Sequence, residues 1–292
     1  MAQSTPLPFL IIQKAFPILE KIAPKLAGKL GYYLFFRPIP TPLRQEEKSI
    51  LQKAERFSLH LDSRTIQGYS WKNPKATKTA VFMHGWSGNA GQPNHLIERL
   101  SEQGFNVFAF DGPGHGSSEG NRTHVFEFKD LLLQLQKKVG VFDVLVGHSF
   151  GSIASCNAMS YGLDVHQYVS LSAPVIASDI LNEFSKIVNC SGQTTKIMEQ
   201  MVYDEINREF ETVSIEYIAS KLPKIPMLLM HDVNDKRVGC FNSERMHELL
   251  PHSTFIKTEG LGHNRIMNDT DVVNKIVEFI KLEELQLPRT NK

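Results

Sequence analysis

Short apolar runs alternate with longer amphipathic segments along most of this chain. The runs are rich in Val, Phe, Leu and Ile, which is typical of strands buried on both faces of a sheet. The intervening segments place apolar residues three or four positions apart, which predicts helices. The predicted strands cover residues 57–61, 66–71, 80–85, 106–112, 142–147, 167–174, 226–232 and 253–258. This alternation predicts an α/β fold with a mainly parallel central sheet flanked by helices.

The connections between the predicted strands refine this picture. Only Asp-Ser-Arg and a short flank separate the first two strands, which predicts an antiparallel hairpin. Helices are predicted at 94–103, 125–140, 150–160 and 243–250, and a last one is predicted through 272–280. Each of these helices lies between two predicted strands or after the last one, as crossover connections in a parallel sheet require.

One connection is much longer than a crossover helix needs. Residues 175–224 separate two predicted strands, and they contain amphipathic patterns at 180–188 and 198–210. We interpret this segment as a helical cap inserted into the domain. The predicted organisation is therefore an N-terminal amphipathic extension, a core in two parts and a cap, at residues 1–45, 46–174 with 225–292, and 175–224.

The N-terminal extension has apolar residues at helical spacing with lysines between them. The lysines interrupt every window long enough for a transmembrane helix, and the absence of charge in residues 1–13 is unlike a secretory signal. Two interpretations remain open: a helix packed on the body of the protein, or a basic amphipathic helix that contacts a membrane surface through residues 9–36. Pro17 and Pro24 would kink a long surface helix, which favours packing.

The composition excludes several classes of protein. The 292 residues are 41% hydrophobic and 22% charged, with a net charge of +1, so nothing favours a nucleic-acid partner. The three cysteines, Cys156, Cys190 and Cys240, lie far apart and form no CxxC or metal-ligand spacing. Free thiols of this kind predict a reducing, cytoplasmic location, peripheral to a membrane under the second interpretation of the extension.

The strongest chemical signal lies where the strand predicted at 142–147 meets the next helix. There Gly147 and Gly151 flank Ser149 in the pattern Gly-His-Ser-Phe-Gly. Glycine is costly inside an apolar segment, so this spacing indicates a turn that needs the missing side chains. The pattern matches a nucleophile elbow, in which a strained serine projects its Oγ above the edge of the sheet.

A serine nucleophile requires a general base and an acid that orients the base. In a fold of this kind the acid and the histidine follow the serine, each in a loop after a late strand. Asp235 follows the penultimate predicted strand and His263 follows the last one. Asp232 in the same loop as Asp235 is the alternative acid.

Two backbone N–H groups are candidates for an oxyanion hole. The first is that of Phe150, which directly follows the elbow serine. The second is expected in the loop after the strand predicted at 80–85, where Trp86 follows Gly85. The aromatic side chains of these two residues would also line the site.

Together these segments resemble the α/β-hydrolase superfamily, over roughly four fifths of the chain from residue 57 onwards. The matching motifs are FMHGWSG, FDGPGHGSS, VGHSFGS, HDVND and GLGH. The chain looks most similar to lipase, esterase and serine-aminopeptidase-like members that carry a helical cap. The resemblance implies a Ser149–His263–Asp235 triad, with Asp111 and His115 in a structural turn beneath it. Relatives usually have glycine where this chain has Asp232, while Asp235 holds the position of the acid.

The expected function is that of a serine hydrolase which cleaves a carboxylic ester or related acyl compound through an acyl-enzyme. The mechanism requires no metal and no organic cofactor. The expected partner is a small-molecule acyl substrate with an apolar group. A peptidase, a thioesterase or a lysophospholipase would use the same triad, and a non-catalytic ligand-binding protein of this fold is a further alternative.

Overall fold

The computed structural model describes residues 7–286 and the side chains of residues 11–283. The outer ends of the predicted domains, at 1–6 and 287–292, and the side chains of residues 9 and 10 lie outside this description. One sheet contains eight strands. They are β1 (Glu55–Leu61), β2 (Arg64–Trp71), β3 (Lys78–Met83), β4 (Phe105–Phe110), β5 (Phe142–His148), β6 (Val165–Leu171), β7 (Met227–Asp232) and β8 (Thr254–Thr258).

Helices cover both faces of the sheet and form the N-terminal segment. They are α1 (Leu7–Ile22), α2 (Pro24–Phe35), α3 (Gln45–Gln52), α4 (Asn94–Glu102), α5 (Val125–Val139), α6 (Phe150–Ser160), α7 (Ala177–Val188), α8 (Gly192–Ile206), α9 (Ile215–Ile218), α10 (Phe241–Leu249), α11 (Gly262–Arg265) and α12 (Thr270–Gln286). Short 3₁₀ helices lie on either side of α9, at Phe210–Val213 and Ala219–Lys221.

The strands run in the spatial order β1-β2-β4-β3-β5-β6-β7-β8. β1 and β2 form the predicted antiparallel hairpin, β2 is antiparallel to β4, and the other neighbours are parallel. The predicted fold class, a mainly parallel sheet flanked by helices, is therefore confirmed. The strand predicted at 167–174 ends earlier, at Leu171, because Ser172 takes a φ of 51° that leaves the extended conformation.

The core lies on both faces of the sheet. In β3, Val81 and Met83 pack on one face in a cluster that includes α5 and α6, whereas Ala80 and Phe82 pack on the other in a cluster that includes α4 and α12. Alternate residues of a strand point to opposite faces, so a strand covered by helices on both sides is apolar throughout. This arrangement leaves the ends of the parallel strands, and the loops that follow them, free to form a site.

The N-terminal extension forms two helices, because the chain turns at Ala23 and Pro24 occupies the first turn of α2. One face of each helix packs against the helices of the segment predicted as a cap. Phe16 of α1 and Ala27 of α2 are buried with Val188 of α7. Gly28 lies so close to α8 that a Cβ there would overlap the side chain of Ile197.

The helix α3 was not predicted, because its eight residues contain too few apolar positions to distinguish a helical pattern from a loop. Within the described residues, none of the helices combines the length and the apolar composition that crossing a bilayer requires.

Candidate active site

Ser149 occupies a tight turn between β5 and α6. Its φ of 53° and ψ of −120° lie outside the regions that a serine ordinarily occupies, so the backbone is strained there. A Cβ at Gly147 would lie 2.8 Å from the Cα of Ser152, and a Cβ at Gly151 would overlap the carbonyl oxygen of Met83. Both flanking glycines are therefore required by close backbone approach, which is the local geometry of a nucleophile elbow.

Asp235 and His263 meet at the ends of the two last strands. The Nδ1–H of His263 donates to Asp235 Oδ2 at 2.6 Å, which leaves Nε2 as the acceptor nitrogen of the ring. The backbone N–H groups of Arg237 and Val238 donate to Asp235 Oδ1 at 2.8 and 3.0 Å. Burial alone would raise the pKa of the Asp235 carboxyl, but hydrogen bonds from His231, His263 and Val238 hold it far below its usual range.

The role of His231 was missed by sequence reasoning. This fully buried residue of β7 has its Nε2 2.8 Å from the carbonyl oxygen of Val238 and 3.3 Å from Asp235 Oδ2. Both neighbours are acceptors, so Nε2 carries the proton and Nδ1 accepts from the Ser243 hydroxyl at 2.7 Å. The Asp235 carboxylate is thereby held from two sides. The available signal was a histidine inside an apolar strand, two positions before the loop.

Asp232 has a different set of partners from Asp235. Its Oδ2 accepts from the Thr258 hydroxyl at 2.8 Å and from the Leu261 N–H at 2.9 Å, and its Oδ1 accepts from the Asn234 N–H at 3.0 Å. These bonds join the loop after β7 to the segment that leads into α11. Of the two acids considered from the sequence, Asp235 is the one in contact with the His263 ring.

His148 connects the elbow to the His263 loop. Its Nε2–H donates to the carbonyl oxygen of His263 at 2.8 Å, and the centroids of the two rings lie 4.9 Å apart. Burial lowers the pKa of His148 to about 3, so the ring is neutral at physiological pH. The residue next to Ser149 therefore holds the backbone that carries His263.

The structure brings the acid and the histidine together as a bonded pair beside the elbow. Within residues 7–286, Ser149 Oγ makes no hydrogen bond, so the serine–imidazole bond of the predicted triad is not formed in this conformation. Catalytic hydrogen bonds are commonly long in substrate-free structures and shorten when substrate binds. The candidate site is thus a formed Asp235–His263 pair with an adjacent, unbonded serine.

The loop after β3 lies directly against the elbow. A Cβ at Gly85 would lie 3.0 Å from the Cβ of Ser149, so a larger residue there would force this neighbour to move by a few tenths of an ångström. Trp86 follows Gly85, and its ring lies edge to face with that of Phe150, with 5.1 Å between centroids. Neither the N–H of Trp86 nor that of Phe150 donates a hydrogen bond within the described part of the chain. Both N–H groups predicted as oxyanion donors therefore lack an acceptor within the described residues, and Gly85, which precedes Trp86, lies against Ser149.

Two neutral histidines hold this loop in place. His115 accepts the Ser87 N–H at 3.0 Å through Nε2, so Nδ1 carries the proton and donates to Pro113 at 3.0 Å. His84 accepts the Gly112 N–H at 2.9 Å in the same way. Burial lowers the pKa of His115 to about 4, and burial together with the neighbouring His115 lowers the pKa of His84 well below its usual value. Neutrality preserves the acceptor nitrogen that each loop contact requires.

Asp111 and the Pro-rich segment at residues 37–42, which follows α2, complete the support of the loop. Asp111 accepts from the Ala90 N–H at 2.8 Å, and it also accepts from the turn at 115–118. The Ile39 N–H donates to Ser87 Oγ at 3.0 Å, and the Thr41 hydroxyl donates to the Ser87 carbonyl at 2.9 Å. Sequence reasoning missed this second contact, because the partners are distant in the chain and no motif marks them.

The eight-stranded fold and the elbow define the class of this protein as an α/β-hydrolase. The chain belongs to the serine aminopeptidase S33 family, whose sequence model matches residues 74–220. The match includes the elbow, the loop with Trp86 and the 111–118 turn.

Several curated relatives match over shorter segments. Rat monoglyceride lipase is 38% identical over 96 residues, which are 29% of this chain and 31% of that protein. A monoglyceride lipase homolog of monkeypox virus is 29% identical over 129 residues, 41% of this chain and 47% of that protein. An abhydrolase domain-containing protein of Dictyostelium discoideum is 35% identical over 108 residues, 35% of this chain and 11% of that protein. The chain thus spans less than half the length of each of these relatives.

Solved structures match over most of the chain. An esterase of Pyrococcus furiosus has a TM-score of 0.64 at 18% identity, covering 84% of this chain and 96% of the esterase. Mouse alpha/beta hydrolase domain-containing protein 10 has a TM-score of 0.59 at 19% identity, and the match covers 80% of this chain and 100% of the mouse chain. At these identities the likeness concerns the fold. The chain therefore has the α/β-hydrolase fold, and relatives that it matches are named as lipases.

Proposed function

We propose that this protein is a serine esterase that cleaves a carboxylic ester through an acyl-enzyme on Ser149. The observation that carries the proposal is the 2.6 Å hydrogen bond between His263 Nδ1 and Asp235 Oδ2, formed beside a strained serine turn. This bond fixes the tautomer in which His263 Nε2 can accept a proton.

The reaction begins with attack of Ser149 Oγ on the ester carbonyl carbon, while His263 Nε2 takes the hydroxyl proton. The Asp235 carboxylate stabilises the imidazolium that forms. His263 then returns the proton to the leaving alcohol as the carbon–oxygen ester bond breaks. A water molecule next attacks the acyl-enzyme, with His263 as general base, and its hydrolysis releases the carboxylic acid and restores Ser149.

The tetrahedral oxyanion is stabilised by the backbone N–H groups of Trp86 and Phe150. Both groups are free of other acceptors in the described chain, and the loop that carries Trp86 is fixed by His115 and Thr41 through Ser87. Donors fixed before the reaction contribute most, because they need no reorganisation as charge develops. Loss of one such donor typically costs about 3 to 4 kcal/mol of transition-state stabilisation.

The proposed substrate has an apolar acyl or alcohol group. Two half-buried aromatic side chains, Trp86 and Phe150, meet beside the serine and offer an apolar wall. The names of several relatives, monoglyceride lipases among them, support an ester of this kind.

The test is hydrolysis of p-nitrophenyl butyrate by wild type, Ser149→Ala and Ser160→Ala. Ser160 lies at the other end of α6, so it controls for the same change in the same helix. We expect Ser149→Ala to lose on the order of 10⁴-fold or more of kcat and Ser160→Ala to lose less than about twofold. Retention of activity by Ser149→Ala would remove this serine from the mechanism.

A substrate panel tests the ester class separately. Butyryl and octanoyl p-nitrophenyl esters, a butyryl thioester and an alanine p-nitroanilide are compared by kcat/KM. We expect the esters to be cleaved fastest, because the serine and the oxyanion donors need only an activated carbonyl, whereas an aminopeptidase must also recognise a free amine. Preferential cleavage of the anilide would contradict the esterase proposal and leave the Ser149 mechanism standing.

A further inference from the structure

The outward face of α1 is apolar and basic. Ile11, Ile18 and Ile22 are 59%, 60% and 77% exposed, although isoleucine is among the residues most often buried. They lie seven and four positions apart, which places them in one stripe along the helix. Lys14 and Lys21 are exposed on the same face. The opposite face of α1, which contains Phe16, packs against the rest of the protein. Packing against the core therefore does not account for the exposed isoleucines.

The outward face of α2 repeats this composition. Leu26 is 55% exposed, Leu30 is 37% exposed and Tyr33 is 38% exposed, again at helical spacing. Lys25 and Lys29 are exposed beside them. Two adjacent helices therefore present the same mixture of large apolar side chains and lysines to solvent.

The outward faces of α1 and α2 point in the same direction, because both helices pack on the same two helices of the protein, α7 and α8. Phe16 of α1 and Ala27 of α2 are buried together against Val188 of α7, and α2 also packs closely on α8 through Gly28. The two helices thus form a layer over α7 and α8, with Ile22 and Leu26 close to the turn between them. Their exposed side chains form one continuous surface.

The charge on this surface has one sign. The only acid in residues 7–36 is Glu20, and it accepts hydrogen bonds from Ser191 and Thr194 on the inner side. The four lysines of the outer faces form no ion pair with any side chain in the part of the protein that the structure describes. The surface therefore has four positive charges among its apolar residues and no acid.

We infer that this N-terminal surface docks on an anionic phospholipid bilayer. The surface consists of Ile11, Lys14, Ile18, Lys21, Ile22, Lys25, Leu26, Lys29, Leu30 and Tyr33. Helices with lysines beside exposed apolar side chains lie in the interface plane, where the apolar groups enter the acyl boundary and the lysines contact lipid phosphates. Binding of this kind needs no helix that crosses the membrane, and the described chain contains none.

A second copy of the chain fits this surface less well. In a two-fold dimer the same patch meets itself, so the lysines of both copies would face one another without an acid between them. Like charges at such a contact are destabilising. An anionic membrane instead neutralises the lysines and covers the isoleucines.

The experiment is co-sedimentation of the full chain with vesicles of phosphatidylcholine alone or with about 30% phosphatidylglycerol. All proteins carry Ser149→Ala, so the vesicle lipids stay intact whatever the enzyme's substrate. The test variants are Ile18→Ser with Ile22→Ser, and Lys21→Gln with Lys25→Gln. Two controls change exposed residues elsewhere on the surface. One is the single apolar-to-polar change Val141→Ser, and the other is the lysine pair Lys75→Gln with Lys137→Gln. Circular dichroism checks that each variant is folded.

We expect the parent protein to sediment with the anionic vesicles and much less with neutral ones. The lysine pair should lower the partition coefficient about 10- to 30-fold, because each lysine near an anionic surface contributes roughly a fivefold gain. The isoleucine pair should lower it at least about tenfold, and the controls less than about twofold. Raised salt should reduce binding of the parent.

Three results would overturn the inference. One is a parent protein that stays in the supernatant with anionic vesicles. The second is equal binding by the test pairs and their controls, which would place the contact elsewhere. The third is a dimer in size-exclusion chromatography that the isoleucine pair dissociates, without vesicle binding, since this would identify a second copy as the occupant. None of these results depends on ester hydrolysis, so the proposed function is tested apart from this surface.

Discussion

Replacement of Asp235 by asparagine is the most informative change in the candidate site. In wild type, Asp235 accepts from His263 Nδ1–H and from the backbone N–H groups of Arg237 and Val238, and His231 Nε2 lies 3.3 Å from it. An asparagine has one acceptor oxygen and one NH₂ group. Its oxygen would turn to the two backbone donors, which leaves the NH₂ group facing the two histidines.

The expected consequence is the wrong tautomer of His263. An NH₂ group opposite Nδ1 favours the ring form in which Nδ1 accepts and Nε2 carries the proton, so Nε2 can no longer take the proton of Ser149. The same substitution in a serine protease triad lowers kcat by about 10⁴, which corresponds to roughly 5.5 kcal/mol. We expect Asp235→Asn to lose about 10⁴-fold of kcat here.

Asp232→Asn is the matched control in the same loop. Asp232 accepts from Thr258, Leu261 and Asn234 and makes no hydrogen bond to the His263 ring. Its replacement should remove one or two hydrogen bonds at a cost of about 1 to 3 kcal/mol in the free energy of unfolding. We expect its kcat to fall less than about tenfold.

The assay is p-nitrophenyl butyrate hydrolysis under saturation, together with thermal melting of each variant. Melting separates loss of fold from loss of chemistry. The reasoning would be refuted if a folded Asp235→Asn kept more than about a tenth of wild-type kcat. It would also be refuted if Asp232→Asn lost as much activity as Asp235→Asn, because the acid would then not be specified by its contact with His263.

Three further predictions follow from close contacts and from buried histidines. Gly85→Ala should lower kcat about 10- to 100-fold, because the new Cβ would lie 3.0 Å from the Cβ of Ser149, and unchanged kinetics would show that the loop can shift freely. From pH 7.5 to pH 5, the free energy of unfolding should fall by about 2 kcal/mol more in wild type than in His115→Gln. In the folded state His115 has a pKa of about 4 and stays neutral, whereas in the unfolded state it takes up a proton over this range. Urea unfolding at the two pH values measures this, and parallel losses would argue against a neutral buried ring. Gly28→Val should lower the free energy of unfolding by about 1 to 3 kcal/mol, because the new side chain would overlap Ile197. Gly192→Ala is the control, and it should leave the free energy of unfolding unchanged because no atom lies near the new Cβ. Equal melting temperatures of the two variants would contradict the close contact between α2 and α8.

The parts of the fold that local pattern determines were predictable. Each predicted strand is present. The central strands β3, β5, β6 and β7 are mostly buried, because an apolar run between two helical segments fits a sheet covered on both faces. The elbow was predictable for a similar reason. Gly147 and Gly151 lie four positions apart in the sequence. Each is required by a close approach of backbone, Gly147 to Ser152 in the next helix and Gly151 to Met83 in the neighbouring strand.

Long-range contacts of the candidate site were not predictable. Thr41 and Ser87 meet across 46 residues, and neither lies in a motif. His231 looked like part of an apolar strand, and only the folded structure places its Nε2 near Asp235. The exposed faces of α1 and α2 are a third case, since the apolar spacing predicts a helix but does not show which apolar residues pack and which remain exposed.

The central claim is that Ser149 is a nucleophile activated by His263. Mass spectrometry of the protein after reaction with a fluorophosphonate probe tests it directly, because the probe phosphonylates an activated serine. The account predicts one modified residue, Ser149, with labelling abolished in Ser149→Ala and slowed by orders of magnitude in His263→Ala. Modification at another residue, or labelling of His263→Ala at the wild-type rate, would contradict it.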